Sequence, residues 1–504
     1  MTSPRARATH SVIVSGDTKD AAEGAPGNAR MITGAFLAPL SFVALWLAPL
    51  PLEPAAHRLV ALFAAVLIAW VTEVVSVAVT ALMIGPALVA LQITDAGTAF
   101  RYYADPLLFL FVGGFMLAEA MQRHGLDRRF ANAVVALPFV RGSAWRTQAA
   151  LVAAAVIVSM WISNTATCAM MLPILLGLPG LERPESRREK DPATGPLLAL
   201  AYVCSTAGLG TLIGTPPNLI TTRLLENAGV RIGFLEWMAL GVPAALVLSF
   251  VAAAITLRRG GASSAPVSVQ PMARAWTRGE KVTALAFVLA VIGWTAPAIA
   301  EVAGASFAEA MNDAMHPGAV AVLACLPLFL VPDPAKKNDE GEVPPVLPWS
   351  VAVRIDWGVI LLFGGGISLG TQLERTGLAA SIGRWVVEAT GATDVWTLSA
   401  IACFATVVLS EVASNTAAAN ILVPLVIAIA QQLGVSPIPP ALAVGVGASV
   451  GFMLPIATGP NAMVYATGRV PQTSMMRAGL FLDVACLVLV LVLLRLICPL
   501  MGWV

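Results

Sequence analysis

The chain has 504 residues, of which 58% are hydrophobic and only 12% are charged, and its formal net charge is +1. Soluble globular chains average about 25% charged residues, so this composition indicates a membrane-embedded protein and excludes an ordinary soluble domain. A net charge so close to zero also speaks against the phosphate attraction that drives nucleic-acid binding. The six cysteines lie in apolar runs without a CxxC pair, which argues against a disulfide framework or a zinc site.

The first 30 residues are polar and show no periodic apolar face, so we predict a disordered cytoplasmic tail over residues 1–30. A helix that spans a bilayer needs about 20 apolar residues, and eleven later stretches satisfy this requirement. In chain order they are 31–51, 58–76, 79–94, 106–122, 196–226, 235–257, 281–300, 317–332, 356–373, 438–468 and 478–498. The sequence therefore predicts an all-α polytopic membrane protein.

Two further apolar stretches, 146–180 and 394–432, have polar centres that read Ser-Asn-Thr at 163–165 and again at 414–416. Each stretch is long enough for two short helices. Polar, broken backbone persists at membrane depth only where protein or a watery cavity surrounds it. We therefore predict two re-entrant helical hairpins, each of which enters and leaves the membrane on the same side.

The surroundings of the two tripeptides repeat as well. The paired residues are Ser159 with Ser410, Pro173 with Pro424, and Thr215-Pro216-Pro217-Asn218 with Thr458-Gly459-Pro460-Asn461. Upstream, the glycine-containing run 111–126 has its counterpart at 363–378. An ordered set of matches at a nearly constant offset is an internal duplication. We place the first repeat at 106–257 and the second at 356–500.

The placement of the basic residues gives the orientation. If the N-terminus is cytoplasmic and neither hairpin crosses the membrane, most of the 30 Lys and Arg residues fall on the cytoplasmic side, as the positive-inside rule requires. The remaining segments are then N-terminal scaffold helices (31–105), a cytoplasmic linker (258–280), further scaffold helices (281–332) and a cytoplasmic loop (333–355). The two repeats insert in opposite orientations, which is typical of secondary transporters that bind at the membrane midplane.

The residue types at the breaks favour ion binding. A hairpin tip exposes carbonyl groups at the end of one helix, which with Ser and Asn oxygens suit a monovalent cation. The N–H groups and positive dipole end of the next helix favour an anion. Proline in the Thr-x-Pro-Asn segments removes a backbone donor and frees a carbonyl upstream. Four such elements predict a pocket for a small anion beside cation sites.

These doubled motifs, with Trp70, Thr72 and Glu73 in WVTEVVSVAVTAL, resemble the divalent anion/sodium symporters over roughly residues 31–500. The resemblance implies a first sodium ion at Ser159, Ser163, Asn164 and Gly214. It implies a second sodium ion at Ser410, Ala413, Asn415 and Ala457. It implies substrate contacts from Asn164, Thr165, Thr215, Pro216, Asn415, Thr416 and Thr458. A homodimer in the plasma membrane and an elevator-like movement of the binding domain are also implied.

Two features depart from a simple duplication. Gly459 stands where the family commonly has a second Thr-Pro-Pro, which leaves the identity of the substrate open. Glu411 has Met160 as its counterpart, and a membrane carboxyl group there either tunes a cation site or faces an aqueous vestibule.

We predict a secondary active transporter that imports a small divalent anion, a C4-dicarboxylate such as succinate, malate or fumarate, with sodium. The alternatives are a sodium-independent dicarboxylate exchanger, a sulfate transporter and an anion channel. The chain shows no nucleophile–base pair, zinc-binding motif or Walker loop, so we predict that it is not an enzyme.

Overall fold

The computed structural model describes residues 28–138, 140, 143–178, 181, 191–257, 275–337, 341–391 and 394–504. The predicted tail over 1–30 and the predicted linker over 258–280 lie mostly outside these residues. Regular structure in the described residues is helical throughout.

The helices of the first half are α1 to α11. Their bounds are Asn28–Leu47, Pro54–Thr72, Val77–Ala90, Ala96–Phe100, Leu108–His124, Leu126–Val135, Ala144–Ser159, Asn164–Leu176, Thr194–Ala207, Pro216–Asn227 and Phe234–Leu257. The helices of the second half are α12 to α23. Their bounds are Arg278–Val302, Ala308–Ala314, Pro317–Ala324, Leu326–Leu330, Trp349–Ala352, Trp357–Arg375, Leu378–Thr390, Val395–Val412, Asn415–Leu433, Ile438–Gly447, Gly459–Ala466 and Gln472–Leu500.

Within the described residues, eight helical segments are long and apolar enough to cross a membrane, against the eleven spans predicted. They are α1, α2, the α4–α5 segment, α11, α12, α19, α20 and α23. The predicted spans 196–226 and 438–468 are each broken, into α9 with α10 and into α21 with α22. Both breaks fall immediately before a Thr-x-Pro-Asn segment, because proline fits the first turn of a new helix and not the middle of an old one.

Among the short helices that were not predicted, two occupy matched places in the halves. α6 follows α5 across Gly125, and α18 follows α17 across Gly377. These glycines have φ of +68° and +69°, a left-handed conformation that glycine adopts without a steric penalty. Each glycine-containing span therefore turns a corner into a short amphipathic helix, in matched places of the two halves.

The glycines of the spans permit close packing of backbones. A Cβ at Gly113 would lie 2.5 Å from the carbonyl carbon of Ala321 on α14, and one at Gly365 would lie 2.4 Å from the carbonyl oxygen of Ala81 on α3. Gly113 and Gly365 are counterparts in the duplication. Small residues at helix contacts are typical of membrane bundles, so α5 with α14 repeats the packing of α17 with α3.

The two halves meet on counterpart residues. The rings of Phe111 on α5 and Phe363 on α17 stand edge to face, with centroids 5.8 Å apart. Phe111 and Phe363 are separated by the same offset as the glycines of these helices. Contact between a residue and its own counterpart is expected where a twofold axis relates two repeats.

Candidate functional site

Both Ser-Asn-Thr tripeptides begin a helix. Ser163 ends the break after α7, and its Oγ accepts a hydrogen bond from the N–H of Ala166 at 3.3 Å. Ser414 does the same at the start of α20, where its Oγ accepts from Ala417 N–H at 3.2 Å. Serine is among the preferred N-cap residues because its side chain satisfies a free donor of the first turn. The asparagine and threonine that follow then lie in the first turn of each helix.

The first break brings three oxygen atoms together. The Oγ of Ser159 lies 3.0 Å from the Oδ1 of Asn164 and 2.8 Å from the backbone oxygen of Cys204. The hydroxyl of Ser159 has one proton, which can satisfy only one of the two acceptors at a time. The predicted first-sodium residues Ser159 and Asn164 are therefore adjacent, in a cluster that has more lone pairs than donors.

The loop between α9 and α10 closes over this cluster. A Cβ at Gly208 would lie 2.4 Å from the Oδ1 of Asn164, and a Cβ at Gly214 would lie 2.8 Å from the backbone oxygen of Met160. The structure thus places Gly214 against the tip of the first hairpin. Ser163, by contrast, uses its hydroxyl to cap α8.

The second break repeats the cluster. The Oγ of Ser410 lies 2.8 Å from the Oδ1 of Asn415 and 2.8 Å from the backbone oxygen of Ala448. Ala413 and Ala457, the other two residues of the predicted second sodium site, are both buried. Ala413 has extended backbone torsions, so its carbonyl no longer points along α19.

The asparagine of each Thr-x-Pro-Asn segment holds its own loop. The Nδ2 of Asn218 donates to the backbone oxygens of Gly208 and Thr211 at 2.9 and 2.7 Å. The Nδ2 of Asn461 donates to their counterparts, Gly451 and Leu454, at 3.3 and 3.1 Å. Each amide side chain replaces backbone partners that the broken helix has lost.

Four helix N-termini carry the residues predicted to contact the substrate. Thr165 and Thr416 lie in the first turns of α8 and α20, while Thr215 and Thr458 precede α10 and α22. The packing is crossed between the halves, because α8 contacts α22 and α10 contacts α20. α8 and α20 therefore each pack on the broken helices of both halves, and at α8 and α22 the first turns themselves meet, because residue 459 lies against Thr165.

The position of Gly459 is explained by this crossed packing. A Cβ at Gly459 would lie 2.2 Å from the Oγ1 of Thr165 and 3.1 Å from its Cγ2. The side chain of Thr165 thus occupies the space beside residue 459, and any larger residue there would displace it.

Some of the contacts had no signal in the sequence. The carbonyls of Cys204 and Ala448 belong to apolar helix ends, and nothing local marks them as part of a polar cluster.

Glu411 is buried, with 8% of its surface exposed, and its carboxylate accepts from Met453 and Leu454 N–H at 2.9 and 3.1 Å. Glu411 therefore binds the second break and does not face an aqueous vestibule.

The cavities that the structure describes lie away from the tripeptides. One of about 400 Å³ is lined by apolar residues of α1, α2 and α3, among them Phe42, Val66 and Ile84. A second, of about 20 Å³, lies between α10, α17 and α20. Neither of these two cavities opens onto the polar clusters.

In the residues that the structure describes, eight helices able to cross a bilayer and two matched polar breaks define a multi-pass helical membrane protein. A model of the sodium:sulfate symporter transmembrane region matches residues 30–504, so the chain belongs to that family, the divalent anion/sodium symporters. The predictions that it resembles this family, and that it is a transporter and not an enzyme, are confirmed.

Several relatives cover most of the chain. An uncharacterized transporter of Haemophilus influenzae is 32% identical over 449 residues, 88% of this chain and 92% of its own. The sodium-dependent dicarboxylate transporter SdcS of Staphylococcus saprophyticus is 30% identical, over 86% of this chain and 84% of its own. SdcS of Staphylococcus aureus is 27% identical, over 94% of this chain and 92% of its own.

A solved structure shares the fold. The crystal structure of the YdaH transporter of Alcanivorax borkumensis, described as having an unusual topology, matches with a TM-score of 0.54 at 16% sequence identity. The match covers 94% of this chain and 98% of YdaH. This likeness supports the polytopic helical fold alone.

Proposed function

We propose that the protein is a secondary active transporter that imports a small divalent anion, a C4-dicarboxylate, together with sodium ions. The observation that carries the proposal is the doubled cluster of a serine hydroxyl, an asparagine oxygen and a backbone carbonyl. The relatives named as sodium-dependent dicarboxylate transporters support the same substrate and ion.

Each cluster suits sodium because its oxygens outnumber the protons available to them. A hard monovalent cation favours such oxygen ligands, and the C-terminal ends of broken helices are where transporters bind it. The first ion would bind at Ser159, Asn164 and Gly214, with Ser163 at the tip. The second would bind at Ser410, Asn415 and the backbone of Ala413 and Ala457.

The anion would bind where the helix N-termini pair. The positive ends of α8, α10, α20 and α22 favour negative charge, and the hydroxyls of Thr165, Thr215, Thr416 and Thr458 can donate to carboxylate oxygens. Asn164 and Asn415 belong to both kinds of site, so that cation binding would position the groups that hold the anion. This sharing is the physical basis of symport.

Alternating access would follow from the inverted arrangement. We propose eleven spans with two re-entrant hairpins, a cytoplasmic N-terminus in the plasma membrane, a homodimer, and elevator-like movement of the binding domain. The arms of the second hairpin, α19 and α20, are each long enough to span, so the hairpin assignment depends on the charge placement. Single cysteines at residues 163 and 414 test it, since labelling of both from one compartment only would contradict it.

The transport proposal is tested in proteoliposomes. We expect uptake of labelled succinate to accelerate when sodium is outside, and to fall by roughly tenfold or more in Asn164→Ala and Asn415→Ala, because each removes an amide oxygen that would bind the ion and an amide N–H group that would donate to the anion. Unchanged uptake in both variants, with intact folding, would contradict it. Sulfate uptake, sodium-independent counterflow or unitary currents would instead identify a sulfate transporter, an exchanger or a channel.

A further inference from the structure

The hairpin tip and the break loop are tied together at the same pair of positions in both halves. In the first half the Oγ1 of Thr211 donates to the backbone oxygen of Met160. In the second half the counterparts of Thr211 and Met160 are Leu454 and Glu411, and Leu454 N–H donates to the Oε2 of Glu411 at 3.1 Å. Both halves therefore have a hydrogen bond between these two positions. A side chain of the loop forms it in the first half, and a side chain of the hairpin forms it in the second.

The exchange places a carboxyl group in one half alone. Glu411 accepts from Met453 N–H as well as from Leu454 N–H, an arrangement that suits a carboxylate because a carboxylate only accepts. Hydrogen bonds to a charged acceptor are stronger than those between neutral groups. The loop of the second break is therefore held more firmly than a neutral bond would hold it.

The surroundings of Glu411 do not neutralise it with a basic side chain. Asp483 of α23 faces it within hydrogen-bonding reach and also approaches the backbone of Phe452. Cys486 lies beside Asp483, while the guanidinium of Arg30 binds the backbone oxygen of Val412. Across the described part of the chain, no ion pair joins Glu411 or Asp483 to a lysine, arginine or histidine.

We propose that Glu411 is a positioning residue that makes the second cation site bind sodium more tightly than the first, so that the second site fills first. The inference rests on the proposed sodium coupling. Glu411 follows Ser410 directly, and it fixes the loop that leads to Ala457. A negative charge in a poorly polarisable interior attracts a nearby cation much more strongly than it would in water. The first site has only the neutral pair of Thr211 and Met160.

The test measures the thermal stability of the purified protein, without substrate, as the sodium concentration is raised. A bound ion stabilises the folded state by RT ln(1 + [Na⁺]/Kd). The stabilisation therefore begins to rise near the Kd of the tighter site and steepens near the Kd of the weaker site, so two unequal sites give two phases. We expect Glu411→Gln to move the low-concentration phase upward by roughly tenfold, because charged hydrogen bonds are lost. We expect Thr211→Val to move the high-concentration phase by about threefold, because a neutral bond is lost.

Controls separate positioning from general damage. Glu388→Gln makes the same chemical change at an exposed position of α18 and should move neither phase. The maximal uptake rate of Glu388→Gln at saturating sodium should likewise stay within about twofold of the wild type. Glu411→Asp keeps the charge, so its low-concentration sodium phase should lie nearer to that of the wild type than the phase of Glu411→Gln does. The aspartate variant also tests the proposal if the glutamine variant folds poorly.

The outcomes distinguish this inference from the proposed function. A single sodium phase in the wild type, equal shifts in Glu411→Gln and Glu411→Asp, or a Glu411→Gln shift of the high-concentration phase would overturn it. If wild-type protein shows neither sodium-dependent stabilisation nor sodium-dependent uptake, the proposed sodium coupling itself fails.

Discussion

The first and second hairpin-and-break units share the serine and asparagine hydrogen bonds but differ in tightness and charge. Asn218 lies 2.7–2.9 Å from its carbonyl partners, whereas Asn461 lies 3.1–3.3 Å from the equivalent ones. A Cβ at Gly208 would come within 2.4 Å of Asn164, but one at Gly451, its counterpart, would stay 3.2 Å from Ser410. The comparison teaches that duplication has kept the polar groups in place while packing and electrostatics diverged.

The largest expected difference between the halves concerns these two glycines. Gly208→Ala should lower the uptake rate at least tenfold, because an atom forced into a packed site costs about 1–3 kcal/mol and here displaces Asn164. Gly451→Ala should lower it by less than about threefold, since its nearest contact can yield by tenths of an ångström. Uptake normalised to the amount of inserted protein measures both, and equal losses would contradict the difference in tightness.

A second pair of variants tests the hydrogen bonds by which Asn218 and Asn461 hold their loops. Asn218→Ala and Asn461→Ala each remove two hydrogen bonds of the kind that contributes about 0.5–1.5 kcal/mol apiece. We expect both to lower the melting temperature in detergent, with the larger decrease for Asn218, whose bonds are shorter. A larger decrease for Asn461 would contradict the difference in tightness between the two units.

The contact between the halves at Gly459 sharpens the comparison further. Gly459→Ala should weaken the apparent affinity for the anion by roughly tenfold while leaving the sodium dependence unchanged, because it displaces the hydroxyl of Thr165 and overpacks the site. Thr165→Ser in the same chain should restore part of the affinity, since serine can rotate its hydroxyl away from residue 459. Losses that merely add in the double variant would show that the two residues do not interact.

The smallest effects should come from the helix caps. Ser163→Ala and Ser414→Ala each remove one N-cap bond of similar length, so each should cost about 1 kcal/mol of stability. Sodium affinity offers a second comparison, because only Ser163 is expected to bind an ion. A change of sodium affinity in Ser414→Ala alone would reverse the assignment of ligands between the halves.

Local features of the fold were predictable from the sequence, and distant contacts were not. Nearby residues and the duplication indicate the serine caps, the pairing of the two halves and the helices that begin at Pro216 and Gly459. The corner helices α6 and α18 were missed because mixed polar segments of 10 and 13 residues resemble loops next to long apolar spans. The carbonyl partners of Ser159 and Ser410 come from other helices. Every residue has a backbone carbonyl, so the residue type does not indicate which carbonyl will join a polar cluster.

The packing of α8 and α20 has a consequence for how the chain folds. α8 contacts α9 of its own half and α22 of the other, and α20 contacts α21 of its own half and α10 of the other. A polypeptide with only one half would leave one side of α8 or α20 without its partner. The two halves are therefore expected to fold as one unit and not as separate domains.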